Sequence, residues 1–131
     1  MADLRVWHDE LQAALAEMEA LTARPGFDSA ELSRVRYRLS RVSGERRKLV
    51  ALLCDTLSEH ATGFQAEQIA ALRESNAQAR AASTAHIGAW TLQQVTADWE
   101  GYCRASAQMR AIMRAQIAAE KAALYPRLVP A

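Results

Sequence analysis

Leu4, Trp7, Leu11, Leu15, Met18 and Leu21 recur at steps of three and four residues. That spacing lines one face of a helix with apolar side chains and scatters them over both faces of a strand. The same stepping returns in Leu32, Val35, Leu39, Val42, Leu49, Leu53 and Thr56, and again in Met109, Met113, Ile117 and Leu124. Ala, the strongest helix former, is abundant, and the 131 residues hold only five Gly and three Pro. β-Branched residues are sparse and never clustered. The chain is therefore expected to be all-α. Residues 1–131 read as a single helical bundle domain, long enough to bury a core without a disulfide or a structural metal.

Helix boundaries follow from the breakers. Arg24-Pro25-Gly26 stops a first helix of about residues 3–23, because Pro cannot continue a helix and Gly tolerates the reversed backbone. Asp28 or Ser29 caps a second helix of about 29–60, with Glu31 three residues after Asp28 as in a capping box. Gly44 is a point where this helix is open to a kink, and the step at 46 that should be apolar is Arg46. A third helix is expected over about 64–98. It puts Ile69, Leu72, Ala79, His86, Trp90 and Ala97 on one face, together with the polar Asn76 and Ser83. Asp98-Trp99-Glu100-Gly101 reads as the next turn, and a fourth helix covers about 102–125, ended by Pro126. Four helices with short connections imply an up-down-up-down antiparallel four-helix bundle. The longer second and third helices overhang the others, leaving apolar surface near Leu57 and Phe64 that is open to use in a homodimer.

Charge and cysteine content narrow the function classes. Sixteen basic and fifteen acidic side chains leave a net charge of +1, which gives no general pull toward nucleic acid or an anionic membrane. Seven basic residues lie between Arg34 and Lys48 with only Glu45 as an acid, but the first helix carries five acids that suit them as flanking partners. No aromatic interleaving supports nucleic-acid binding there. Met109, Ile112 and Met113 read as core filling. Cys54 and Cys103 form no spaced motif and are expected as free thiols in a reducing compartment. No signal-like run and no apolar stretch of the ~20 residues needed for a membrane span is present, so the expected location is cytoplasmic.

Polar groups at inward positions are the candidates for function. His8 lies one turn from Leu4 and Leu11, His86 one turn from Trp90, and Glu120 between Ile117 and Leu124. A buried carboxylate needs a partner, and the turns on either side of Glu120 hold Gln116 and Leu124, not a base. The halves also match. His8 precedes Arg41-x-x-x-Glu45, and His86 precedes Gln116-x-x-x-Glu120, at similar distances. With the ending Gln116-Ile-Ala-Ala-Glu120-Lys-Ala-Ala-Leu-Tyr-Pro126, this layout resembles the hemerythrin-like (HHE cation-binding) four-helix bundle family.

In that family each hairpin supplies a His and a His-x-x-x-Glu to a di-iron site. Arg41 and Gln116 stand where the second-helix histidines belong, so the resemblance is to a degenerate member. It implies a non-catalytic bundle, a small binding or sensing module with no cofactor and a vestigial metal set of His8, Glu45, His86 and Glu120. Arg41, paired with Glu120 or Glu45, is then the expected occupant of the vacated position. Two alternatives stay open. One is an iron or other divalent-metal protein using those four ligands for redox or oxygen-linked chemistry. The other is a helical adaptor or chaperone. His8 and His86 also have the plain reading of partly buried, hydrogen-bonded core histidines.

Overall fold

The computed structural model describes residues 3–128, so the ends of the expected 1–131 domain, residues 1–2 and 129–131, lie outside it. Among the described residues the regular structure is all helical: α1 (Leu4–Thr22), α2 (Ser29–Ser58), α3 (Gly63–Ala89), α4 (Leu92–Ala97), α5 (Trp99–Leu124) and a 3-10 turn over Tyr125–Arg127. None of these helices is long and apolar enough to cross a membrane. Capping places their starts. Asp3 accepts from the backbone N–H of Arg5, and Asp28 accepts from that of Glu31.

The third predicted helix is interrupted. It does not run to residue 98 but ends at Ala89, and the short α4 follows. Trp90 leaves helical geometry at φ −110°, ψ 65°, and the Thr91 side chain caps α4 by accepting from the Gln94 N–H. Asp98-Trp99-Glu100-Gly101 is likewise not a turn but the start of α5. Asp98 accepts from the Gly101 N–H at 2.9 Å, and a methyl group at Gly101 would collide with that carboxylate. A capping signal was thus present in the segment read as a turn.

Contacts between specific pairs fix the directions. Glu31 meets Arg24, while Glu17 and Glu10 meet Arg38, so α1 and α2 run antiparallel. Gln116 bonds Ser75 and Asn76, Arg127 bonds Gln68, and His86 stacks on Tyr102, so α3 and α5 run antiparallel. α1 packs extensively along α2 and α3 along α5; α1 also touches α5, whereas α2 and α3 meet sparsely. Acidic α1 and basic α2 pair along their flanks through Arg34–Glu17 and Arg38–Glu17, and the Arg34 hydrogen bond in particular holds the Glu17 carboxyl below its usual range.

The core lies between these pairs. Leu11, Leu15, Val42 and Ile117 form its middle. Met18, Leu21, Leu32, Val35 and Tyr102 fill the end nearest α4. Leu4, Val50, Cys54, Ile69, Leu72 and Leu124 fill the other. On α2 the buried line is Val42, Arg46, Val50 and Cys54 rather than the expected Leu49, Leu53 and Thr56. Four-residue steps advance about 40° per step around a 3.6-residue helix, so the buried face turns away from α1 toward the cluster on α3 and α5. Phe64 is largely exposed, but Leu57 packs against the core.

α2 continues through Gly44 without interruption, so the kink is not realised. An added methyl there would meet only the tip of Arg47, at 3.8 Å. Gly44→Ala is therefore expected to stabilise the protein by about 0.5–1 kcal/mol, through a lower entropy cost of helix formation. Urea unfolding measures this directly, and a lower midpoint for the variant would refute it.

Candidate functional site

His8 and Glu120 are brought together, in the middle of the protein, and both are fully buried. His8 Nε2 lies 2.8 Å from Glu120 Oε1, and His8 Nδ1 lies 2.6 Å from the Tyr125 hydroxyl. The other carboxylate oxygen, Oε2, accepts from the guanidinium of Arg46. A carboxylate facing Arg46 is an acceptor, so Nε2 carries a proton and donates to it. In the neutral ring Nδ1 then accepts from the Tyr125 O–H. Each member sits where helix spacing put it: His8 on the α1 stripe, Arg46 at the apolar step of α2, Glu120 on the α5 stripe. Burial pushes the Arg46 guanidinium below its usual range and Glu120 pulls it back up. The Arg46 Nε–H is buried and has no acceptor among the described residues.

This geometry corrects the expected partner of Glu120. Arg41 is exposed and does not enter the core; Arg46, five residues on, does. Five residues turn a helix by about 140° beyond a full turn, which carries Arg41 to a different face. Glu45 also points away and meets Lys48 at 3.5 Å on the surface. Gln116 does take an inward place, but it donates to Asn76 and Ser75 of α3.

His86 lies elsewhere. Gln116 meets Asn76, so the antiparallel register sets Glu120 level with Leu72. His86 is fourteen residues further along α3, roughly 21 Å away at ~1.5 Å per residue. There it is half-buried and stacks on Tyr102 with ring centroids 5.8 Å apart. The match between the two halves in sequence fails in space because α4 lengthens the second connection and moves His86 close to the turn. The set His8, Glu45, His86 and Glu120 therefore does not converge. Among the described residues no three His, Cys, Asp or Glu side chains come together as metal ligands. The donor set present does not fit the metal that the resemblance implies, since a guanidinium and a phenol already occupy the groups that would bind it.

A second feature was not singled out from sequence. Between α2, α3 and α5 lies a half-open chamber of about 370 Å³. Its floor is apolar, including Leu15, Met18, Leu39, Met109 and Met113, and its walls carry Arg36, Arg47, Arg80 and Arg110. Arg36 donates to the Trp90 carbonyl and stands 5.6 Å from the Tyr102 ring centroid. Arg110 donates to the Thr22 and Ser106 hydroxyls. Arg47 donates to Ser43 Oγ at 3.3 Å. Burial lowers the basicity of Arg47, and the nearby charges of Arg80 and Arg46 lower it further. The only sequence signal for this chamber was the small, polar face of α3. The thiols of Cys54 and Cys103 are both free and both raised by burial, Cys54 buried in the core and Cys103 half-buried.

His86 lines this chamber, and burial, helped by Arg36, depresses its basicity. The unfolded chain therefore protonates His86 before the folded one does. The stability this supplies is complete above the unfolded value of about 6.5 and is lost as pH falls through the lower folded value. The expected result is a smaller drop in unfolding midpoint between pH 7.5 and 5 for His86→Gln than for the parent. Equal drops would show that His86 does not carry the effect.

No family model matches this sequence, no curated protein matches it, and no solved structure matches its fold.

Proposed function

We propose that the chain is a non-catalytic binding or sensing module, built as a hemerythrin-like, up-down-up-down four-helix bundle whose metal position is filled by protein cation. The observation that carries this reading is Arg46, whose guanidinium is clamped to Glu120 while His8 holds the other carboxylate oxygen. A fixed positive charge on Glu120, the one buried carboxylate among the described residues, repels a divalent ion and satisfies the acceptor that would bind it. His8 in turn has its second nitrogen on Tyr125. The centre is thus a closed polar network rather than an open coordination shell. Its contribution is specificity of packing: three helices must be in register for one carboxylate to meet both partners.

The alternative of a reduced His/Glu metal set is less well supported, because Glu45 and His86 would both have to leave their present surroundings. The binding role is supported by the chamber beside the network, which lies within the usual size range of small-molecule sites. Elemental analysis of protein purified without chelator tests the reading. Well under one equivalent of any transition metal is expected per chain. Two irons per chain, or one equivalent of metal abolished by His8→Ala, would overturn it.

A further inference from the structure

Seven arginines in this protein each hold a carboxylate: Arg5, Arg24, Arg34, Arg38, Arg46, Arg73 and Arg114. The four around the chamber hold none among the described residues, and no Asp or Glu lines it. An unpaired arginine on a convex surface is ordinary. Four lining one concavity, two of them repelling each other and Arg110 offset in part by the nearby charge of Glu19, leave an excess of positive charge that an anion would relieve. Arg47 and Arg80 are that repelling pair.

The two also border a second, wider space of about 740 Å³ between α2 and α3. Its lining includes Ala51, Ala77, Ala81 and Ala85, whose side chains are too small to fill the gap. Arg47 and Arg80 therefore stand at the seam of both spaces, reachable from solvent. Toward the inside lie the apolar floor and two methionines, which adapt to irregular shapes. The hydroxyls of Ser40, Ser83 and Thr84 line the same walls and make no hydrogen bond among the described residues.

Building on the binding reading above, we infer that the chamber takes an anionic amphiphile: a carboxylate or phosphate head between Arg47 and Arg80, and an apolar body against Leu15, Met18, Met109 and Met113. Guanidinium groups bind both heads through paired N–H donors. A polyanion such as nucleic acid fits less well, since it needs an extended basic stripe, and the flank of α2 that carries Arg34 and Arg38 is already neutralised by α1. Residues exposed at the rim, Tyr37 and Ile87, give the body further apolar contact.

Isothermal titration of the full chain with decanoate, decyl phosphate, decanol and inorganic phosphate tests the inference, at concentrations below micelle formation. Saturable one-to-one binding is expected for decanoate, decyl phosphate or both; whichever is tighter identifies the head. Decanol and inorganic phosphate should each bind at least tenfold more weakly, since each lacks one half of the recognition. Arg47→Gln and Arg80→Gln should each weaken the preferred amphiphile by about tenfold or more, as expected for losing a charge-assisted hydrogen bond. Arg114→Gln, which breaks a surface pair with Glu19, should leave affinity unchanged. Arg80 is exposed, so its replacement does not threaten folding, and circular dichroism of each variant verifies this. Decanol binding as tightly as decanoate, affinity indifferent to both arginines, or no saturable binding of either amphiphile would overturn the inference. Metal analysis of the same preparation separates this failure from that of the broader reading: metal-free protein that binds neither amphiphile rejects only the ligand class.

Discussion

Replacing Glu120 by Gln is expected to destabilise the protein by about 3–5 kcal/mol. The substitution preserves shape and leaves an acceptor oxygen, so no cavity is created. What it removes is the negative charge. Arg46, only 6% exposed, would then hold a positive charge in the core with a neutral amide as its partner, and its Nε–H already lacks an acceptor among the described residues. Domains of this size are stable by about 5–15 kcal/mol, so a loss of that order brings the variant close to unfolding at ambient temperature. Removing the arginine as well should restore much of the loss. Arg46→Met supplies an apolar chain of similar reach, and replacement of a buried ion pair by well-packed apolar groups is often close to neutral. The Arg46→Met, Glu120→Gln double variant is therefore expected to be more stable than the Glu120→Gln single variant. Urea unfolding of the four proteins in the cycle gives the coupling energy, expected at 1.5 kcal/mol or more. Additive single effects would mean that the two side chains do not act as a unit.

The fold was legible to the extent that it rests on helical spacing and capping. The buried residues of α1 are the predicted stripe with Trp7 only half-buried and with His8 and Ala14 added, and the ends of α1 and α2 fall within two residues of expectation. What was missed rests on geometry between helices. Arg46 at an apolar step and Glu120 without a local base were both visible, and each is explained by the other. The sequence reading instead gave the place to Arg41, because it relied on a repeat in spacing. Matching gaps along the chain set helices level only if the two turns are equally long. The first connection is a six-residue loop, whereas the second contains a helix of its own. Thr91 and Asp98 signalled those caps, but a helical pattern running through His86, Trp90 and Ala97 masked them. The arginines of the chamber had no common sequence signature, since Arg36, Arg47, Arg80 and Arg110 come from three helices and line one space only in the packed chain; the small, polar face of α3 was its one trace.

The same second connection carries the other large expected effect. Tyr102 is 1% exposed and sits in the first turn of α5, where it stacks on Trp99 and His86 and meets the edge of Trp90. Phe27 extends the group by stacking on Trp99, which joins the α1–α2 connection to the start of α5. The Trp99 indole N–H donates to the Arg24 carbonyl at 3.1 Å, tying the same two regions by a polar bond. Tyr102 thus links both turns at one end of the protein and forms part of the chamber wall. Tyr102→Ala should cost about 3–5 kcal/mol, from lost aromatic burial and the void it leaves. Tyr102→Phe keeps the ring and loses only the hydroxyl, which donates to Met18 Sδ at a long 3.8 Å and interacts with the Ser106 side chain. That variant should cost no more than about 1 kcal/mol. The ratio of the two effects is the informative result. If Phe were nearly as damaging as Ala, the hydroxyl rather than the ring would be holding the helix start in place. The aromatic account would then fail even though the residue mattered. If the ring dominates, Tyr102→Ala should also enlarge the chamber and weaken binding of any ligand whose apolar body rests against that wall, while Tyr102→Phe leaves affinity unchanged.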